Sequence, residues 1–255
     1  MPITARTILI TGASRGLGLE FVRQILKLET PPEVVIACCR NPETAHDLQV
    51  IAKSNPSVKI VKLDIENDVD IEKAFQETKT AVGTHGLNLL ISNAGIGDIT
   101  TAGLQEQTRE KLQKHFDVNV SGPLILVQKF LPLIKQAASQ HKSQILRCSR
   151  AGIVLVSSRL GSQTVAYEEG RRLMYDYCSS KTALNMSAIL LARELKESGI
   201  YVTALHPGWA RTDMGTDTAP ISKEESIGGS LKALGDAGEE SHGKILTFEG
   251  NILPY

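Results

Sequence analysis

Short apolar runs alternate with amphipathic stretches along the 255-residue chain, and the alternation sets the architecture to expect. Thr7-Ile8-Leu9-Ile10, closing at Thr11, is rich in the β-branched residues of a buried strand. Comparable runs recur at 34–38, 58–63, 87–92, 153–157, 201–205 and 244–248. Directly after the first run the period changes: Leu17, Phe21, Ile25 and Leu28, with Val22 and Leu26 beside them, fall at helical spacing. Strands separated by helices throughout predict right-handed crossovers, a doubly wound parallel sheet of about seven strands with helices on both faces, and ligand binding at the carboxyl ends of the strands. No Pro/Gly/Ser linker or block of like charge interrupts the pattern, so residues 1–255 are expected to form one α/β domain.

Residues with chemistry gather at those strand ends. The first strand runs into Thr11-Gly12-Ala13-Ser14-Arg15-Gly16-Leu17-Gly18, which places three glycines in a strand-to-helix turn. Unpaired N–H groups at a helix start attract anions, and glycine lets a pyrophosphate approach the backbone without meeting a β-carbon. The turn lacks the Gly-Lys-Ser/Thr ending of a phosphate-gripping P-loop, and a plain tight corner is its alternative reading. Tyr177 and Lys181 lie four residues apart and share a face on a helix, so a cation stands beside a phenol and favours its ionised form. The pair makes a candidate proton donor, although such spacing alone is more often an exposed amphipathic pair. Gly12, Asn93, Ser158 and Pro207 each follow a predicted strand, which brings them to one edge of the sheet.

The second strand ends Cys38-Cys39-Arg40-Asn41, without the acid that commonly holds a ribose 2′-hydroxyl. Arg40 with Arg15 suits a 2′-phosphate, the alternative being that Arg40 opens a surface turn. Ser149-Arg150-Ala151-Gly152 repeats the Ser-x-x-Gly form of Ser158, but it precedes its apolar run and so belongs to the opposite sheet end. Tyr175 has Ser179, not a cation, four residues on.

Together these motifs resemble the short-chain dehydrogenase/reductase family along essentially the whole chain. Thr11, Gly12, Gly16 and Gly18 match its Thr-Gly-x-x-x-Gly-x-Gly, and Asn93-Ala94-Gly95 its Asn-Ala-Gly. Asn119, in Asp117-Val118-Asn119-Val120-Ser121-Gly122, matches its asparagine, Ser158 before Gly161 its serine, and Pro207-Gly208-Trp209-Ala210-Arg211-Thr212 its Pro-Gly segment. The stretches Gly16-Leu17-Gly18-Leu19-Glu20, His206-Pro207-Gly208-Trp209, Thr212-Asp213-Met214-Gly215 and Phe248-Glu249-Gly250-Asn251-Ile252-Leu253-Pro254-Tyr255 look like the Sniffer and C-factor-like branch of carbonyl reductases.

The resemblance implies a Rossmann-type fold and NADPH-dependent reduction of an aldehyde, ketone or quinone. It makes Asn119, Ser158, Tyr177 and Lys181 the catalytic set, with Tyr177 as acid, Ser158 bonding the carbonyl oxygen, Lys181 also holding the nicotinamide ribose, and Asn119 anchoring a water chain or, alternatively, only bonding a helix kink. Cofactor contacts are implied for Gly12, Ser14, Arg15, Gly16, Leu17, Gly18, Arg40, Asn93, Ala94, Gly95, Tyr177, Lys181, Pro207, Gly208 and Thr212. Asp64 and Ile65 are implied at the adenine, where Asp64 is otherwise a helix cap. An NADPH-binding regulator with little turnover and a hydroxysteroid-type dehydrogenase are the alternative functions. Two departures stand out: Ser92 precedes Asn93 where the family often has a second asparagine, and 18 residues separate Ser158 from Tyr177, more than is usual. The added length carries Tyr167-Glu168-Glu169-Gly170-Arg171-Arg172, read either as a bulge over the site mouth or as a solvated loop.

Composition narrows the partners. Lys plus Arg and Asp plus Glu both number 28 and are interspersed, so no nucleic-acid or anionic-membrane surface is expected; the modestly basic stretch 137–150 reads as a solvated loop. No apolar run spans a bilayer and no signal-peptide order opens the chain, which predicts a cytoplasmic protein. Cys38, Cys39, Cys148 and Cys178 show no metal or Cys-x-x-Cys spacing and the six histidines no His-x-x-x-His, so reduced thiols and no metal site are expected. Apolar stripes at Leu112, Phe116 and Val120 and at Leu184, Ala188, Leu191 and Leu195 suit either packing on the sheet or, as the resemblance implies, a homodimer.

Overall fold

The computed structural model describes residues 2–97, 103–140, 145–169 and 173–255. In it the apolar runs become β1 (Thr7–Thr11), β2 (Val34–Cys39), β3 (Val58–Lys62), β4 (Leu89–Ser92), β5 (Gly152–Val156), β6 (Tyr201–His206) and β7 (Ile245–Thr247), joined by a two-residue β8 (Ile252–Leu253). They form one sheet in the order β3-β2-β1-β4-β5-β6-β7-β8, parallel except for the final antiparallel pair. Successive residues of β1 serve opposite faces: Ile8 and Ile10 join one apolar cluster and Leu9 the other, all fully buried. Burial on both faces is why these strands read as continuous apolar runs instead of alternating ones.

Among the described residues the helices are α1 (Gly16–Ile25), α2 (His46–Ser54), α3 (Asp68–Val82), α4 (Arg109–Phe116), α5 (Gly122–Ser139), α6 (Gln163–Glu169), α7 (Tyr175–Leu195) and α8 (Lys223–Asp236). Phe21 and Ile25 of α1, Leu48 of α2 and Ile227 and Leu231 of α8 pack on one face of the sheet. Ile71 of α3, Phe130 of α5 and Leu184 and Ala188 of α7 pack on the other. Strand order reverses between β1 and β4, so the loops leaving their carboxyl ends diverge and open a crevice there.

Several expectations are corrected. The sheet holds the seven expected strands together with the short β8, and β4 starts at Leu89, because Leu87 N–H bonds Leu133 O instead. Helix α5 continues to Ser139, into the stretch read as a basic loop, whose residues 141–144 lie outside the described set. In the added segment between Ser158 and Tyr177, Tyr167, Glu168 and Glu169 are not a loop but the exposed end of helix α6; Gly170, Arg171 and Arg172 lie outside the described residues. The apolar stripe of α7 packs inward, with Leu184, Ala188 and Leu195 buried against the sheet. No helix among the described residues is long and apolar enough to cross a membrane. All four cysteines are unpaired thiols, three of them buried and Cys178 half-buried.

Candidate active site

The glycine turn after β1 is shaped by contacts that exclude side chains. Gly12 and Gly16 take φ of 67° and 56°, a region that favours glycine, and a β-carbon at Gly18 would stand 2.1 Å from Gly12 O. Helix α1 starts at Gly16 with no side-chain cap from Arg15 and no acid in its first turn. The result is a helix N-terminus open to an anion, beside a backbone that a ligand can approach closely.

The loop after β4 is locked to this turn. Thr11 Oγ1 accepts from the N–H groups of Asn93 and Ala94 at 3.0 and 2.9 Å, while Asn93 Nδ2 donates to Thr11 O at 2.9 Å. A β-carbon on Gly95 would come 3.1 Å from Asn119 Oδ1 and 3.5 Å from Lys181 Nζ, and one on Gly97 would clash with the Tyr177 ring at 2.8 Å. The Asn-Ala-Gly loop therefore links the glycine turn to the Tyr-Lys pair. Asn119 sits in a π-helical turn, Asp117–Ser121, that joins α4 to α5 without a break. Its Oδ1 accepts from Ile96 N–H at 2.9 Å, and its Nδ2 donates to Ile96 O at 2.9 Å and Ser180 Oγ at 3.0 Å.

Ser158 lies two residues beyond β5 and caps the turn Arg159–Gly161, its Oγ accepting from Leu160 N–H at 3.2 Å. The next turn is stapled to α7: Asn185 Nδ2 and Thr182 Oγ1 both donate to Gly161 O, and Ser157 Oγ donates to Asn185 Oδ1 at 2.6 Å. These bonds carry the serine to the helix that bears Tyr177 and Lys181. Burial pushes the Tyr177 phenol up to about 12, with a hydrogen bond from Ser158 pulling the other way. Lys181 is buried, donates to Val156 O at 2.9 Å, lies 5.7 Å from the Tyr177 ring centre, and is pushed down by burial to about 8. Burial thus sets the direction at both groups, since each loses solvation of its charged form.

The remaining sequence candidates divide. Thr212 stands over the glycine turn, with Cγ2 3.7 Å from where a Gly16 β-carbon would lie; Pro207 O accepts from Ser226 Oγ, and Gly208 turns the chain at φ 80°. Arg15 and Arg40 are both exposed, and Arg15 Nη1 is 3.3 Å from Asp213 Oδ2. Asp64 does not cap α3: its carboxylate accepts from Glu66 N–H, and Asn67 is the cap. Ile65 is buried beneath Gly122. Ser149 accepts from Thr4 N–H ahead of β1, at the opposite sheet edge.

Sequence reasoning missed Gly97, Met214 and Ser180. Met214 Sδ lies 3.5 Å from the same point over Gly97 that meets Tyr177, and Ser180 Oγ bonds both Tyr177 O and Asn119. Only Gly97, two residues after Gly95, carried any signal. His206, at the end of β6, is pushed down to about 4 by burial and then by the Arg159 charge.

Comparison with known proteins agrees with this geometry. A family model described as short chain dehydrogenase matches residues 6–222. An uncharacterized oxidoreductase of Schizosaccharomyces pombe is 29% identical over the full length of both chains. The NADPH-bound carbonyl reductase from chicken fatty liver superposes with a TM-score of 0.94 at 37% identity, covering 99% of this chain and 95% of that one. The carbonyl reductase Sniffer of D. melanogaster gives 0.94 at 33% identity, over 98% and 100%. The chain belongs to the short-chain dehydrogenase family and is an oxidoreductase of that type, similar to the carbonyl reductases its sequence motifs pointed to.

Proposed function

We propose that the protein is an NADPH-dependent carbonyl reductase that turns an aldehyde, ketone or quinone into an alcohol. The observation that carries this reading is the convergence of Ser158, Tyr177 and Lys181 at the carboxyl edge of the sheet, with Gly95 bridging toward the open start of α1. The glycine cradle fits a dinucleotide: Gly12, Gly16 and Gly18 leave room for its pyrophosphate, and Arg40 and Arg15 offer charge for a 2′-phosphate. When bound, NADPH supplies the hydride.

The chain's own residues supply the proton and the site's polarity. Tyr177, held neutral by burial, donates its phenolic proton to the carbonyl oxygen, and the Ser158 hydroxyl donates a hydrogen bond to the same oxygen as negative charge develops. A neutral phenol is the state a reductase needs; oxidation would require phenolate. Lys181 places a cation beneath the phenol and eases its loss of a proton. Asn119 spends its amide on Ile96 and Ser180, so its part is to keep the loop and α7 in register. Met214, whose Sδ meets the same point over Gly97 as the Tyr177 ring, gives the substrate side an apolar character that suits aromatic and alkyl carbonyls. Unpaired cysteines support a reducing, cytosolic setting.

The test is NADPH against NADH oxidation over quinones, aldehydes and ketones, with Tyr177→Phe alongside. The variant keeps its volume and its NADPH binding but loses about 10² to 10⁴ in rate. Reduction at the parent's rate by Tyr177→Phe, with chemistry limiting, would overturn the assigned mechanism.

A further inference from the structure

Tyr177 is the third residue of α7, so its position depends on the first turn of that helix. The turn is poorly secured at its usual place, because Met174, at the cap, makes no side-chain bond to the helix amides. Asp176 supplies what the cap does not: its Oδ1 accepts from the Tyr177 N–H at 2.8 Å, and its charge sits at the positive end of the helix dipole.

A carboxylate that is 1% exposed needs further support, and it comes from α4. His115, 7% exposed, places Nδ1 3.5 Å from Asp176 Oδ2 and 2.9 Å from Lys111 O. A carbonyl only accepts, so Nδ1 carries the hydrogen, and that positive edge of the ring faces the carboxylate. His115 Nε2 is buried with no partner, a cost accepted in this ring orientation.

The pair repeats a contact one helical turn away. His115 and Asn119 are four residues apart on the α4–π-turn segment, and Asp176 and Ser180 are four apart on α7. Asn119 reaches Ser180, whose Oγ donates to Tyr177 O at 2.8 Å; His115 reaches Asp176, which holds the Tyr177 N–H. Two rungs between the same elements thus hold both main-chain polar groups of the tyrosine.

We propose that His115 and Asp176 are positioning residues that fix the first turn of α7 and so aim the Tyr177 hydroxyl at the substrate oxygen beside Ser158. The proposal rests on the reading of Tyr177 as proton donor. Neither residue touches the reacting atoms; they act through the tyrosine backbone, and misplacing a reacting group by about 1 Å can cost roughly 10²-fold.

The experiment compares Asp176→Ala, Asp176→Asn, His115→Ala and His115→Asn for kcat and KM on a carbonyl substrate, NADPH affinity, and hydrogen exchange at 175–178. Asp176→Ala should lower kcat about 10- to 100-fold, leave NADPH affinity within about twofold, and speed exchange in that turn. Asp176→Asn, whose amide oxygen still accepts the Tyr177 N–H, should recover most of kcat, and His115→Asn should exceed His115→Ala. In a Tyr177→Phe background Asp176→Ala should add nothing. Parental kcat in Asp176→Ala, no rescue by asparagine, lost NADPH binding, or a further loss on top of Tyr177→Phe would each overturn the proposal. A silent Tyr177→Phe would instead remove the acid reading, and the exchange rates would still decide whether the pair holds the turn.

Discussion

Arg40 is the residue on which cofactor choice turns. It follows β2 directly, stands exposed, and has no acid at the strand end to compete for a ribose hydroxyl. Its partner in the proposal, Arg15, is engaged with Asp213, but both of those side chains are about three-quarters exposed, and such a pair is weak in water. A doubly charged phosphate offers Arg15 a stronger, forked partner. Replacing Arg40 with Asp should therefore lower the NADPH over NADH ratio of kcat/KM by roughly 1.5 to 3 kcal/mol, or about 13- to 160-fold. A ratio unchanged from the parent would dismiss Arg40 as the phosphate contact. At this scale the sequence was informative where chemistry demands a residue type at fixed spacing, as for Gly12, Gly16, Gly18, Tyr177 and Lys181. It was silent on Asp176, Ser180 and His115, because their importance lies in a meeting of α4 and α7 that no local pattern encodes.

Elements were legible in proportion to their length and periodicity. Seven strands lay where apolar runs lay, within two residues at each end. Strand β8, two residues paired antiparallel to β7, is too short to hold a pattern, and the π-helical turn around Asn119 depends on how α4 and α5 pack. The packing of α7 on the sheet also has a consequence for stability, since the Lys181 ammonium is buried against Val156 O at the end of β5. The folded lysine titrates near about 8 rather than 10.5, so between those values the unfolded chain binds more protons and stability rises with pH. Below about 8 the full penalty is present, about 3 kcal/mol, less the bond to Val156 at about 1. The thiols of Cys38 and Cys148 are pushed up by burial and act in the opposite sense at alkaline pH, but they are shared by parent and variant. Lys181→Met should accordingly be more stable than the parent by about 2 kcal/mol at about pH 7, with the gap closing by about pH 9.5, in urea unfolding followed by circular dichroism. A gap that stays constant across that range would show that the ammonium carries no such cost.

Assembly is a property of the whole molecule, and the structure changes which residues bear on it. Leu184, Ala188 and Leu195 are spent on the sheet, so they are not available for pairing. Among the described residues, the apolar groups left outward on that side of the molecule include Met186 and Leu190 on α7, 53% and 56% exposed, and Ile125 on α5 and Phe116 on α4, each 38%. Met186 and Leu190 are four residues apart and form a stripe on the helix surface, while α5 and α7 cover the same sheet face. Scattered exposed apolar residues are ordinary, but a stripe on one of two helices sharing a face is the arrangement that lets two copies pack about a twofold axis. A stable pair needs roughly 800 Å² from each copy, an area that two helix faces of this length can supply. The homodimer we propose therefore runs through Met186 and Leu190. Sedimentation of the parent at micromolar concentration should give twice the chain mass, and Met186→Glu combined with Leu190→Glu should give the chain mass while far-UV circular dichroism is retained, because neither side chain is buried in the core. A parent that sediments as a monomer would remove pairing altogether. A double variant that stays dimeric would move the interface away from α7, and with it any contact between the pairing surface and the helix that carries Tyr177 and Lys181.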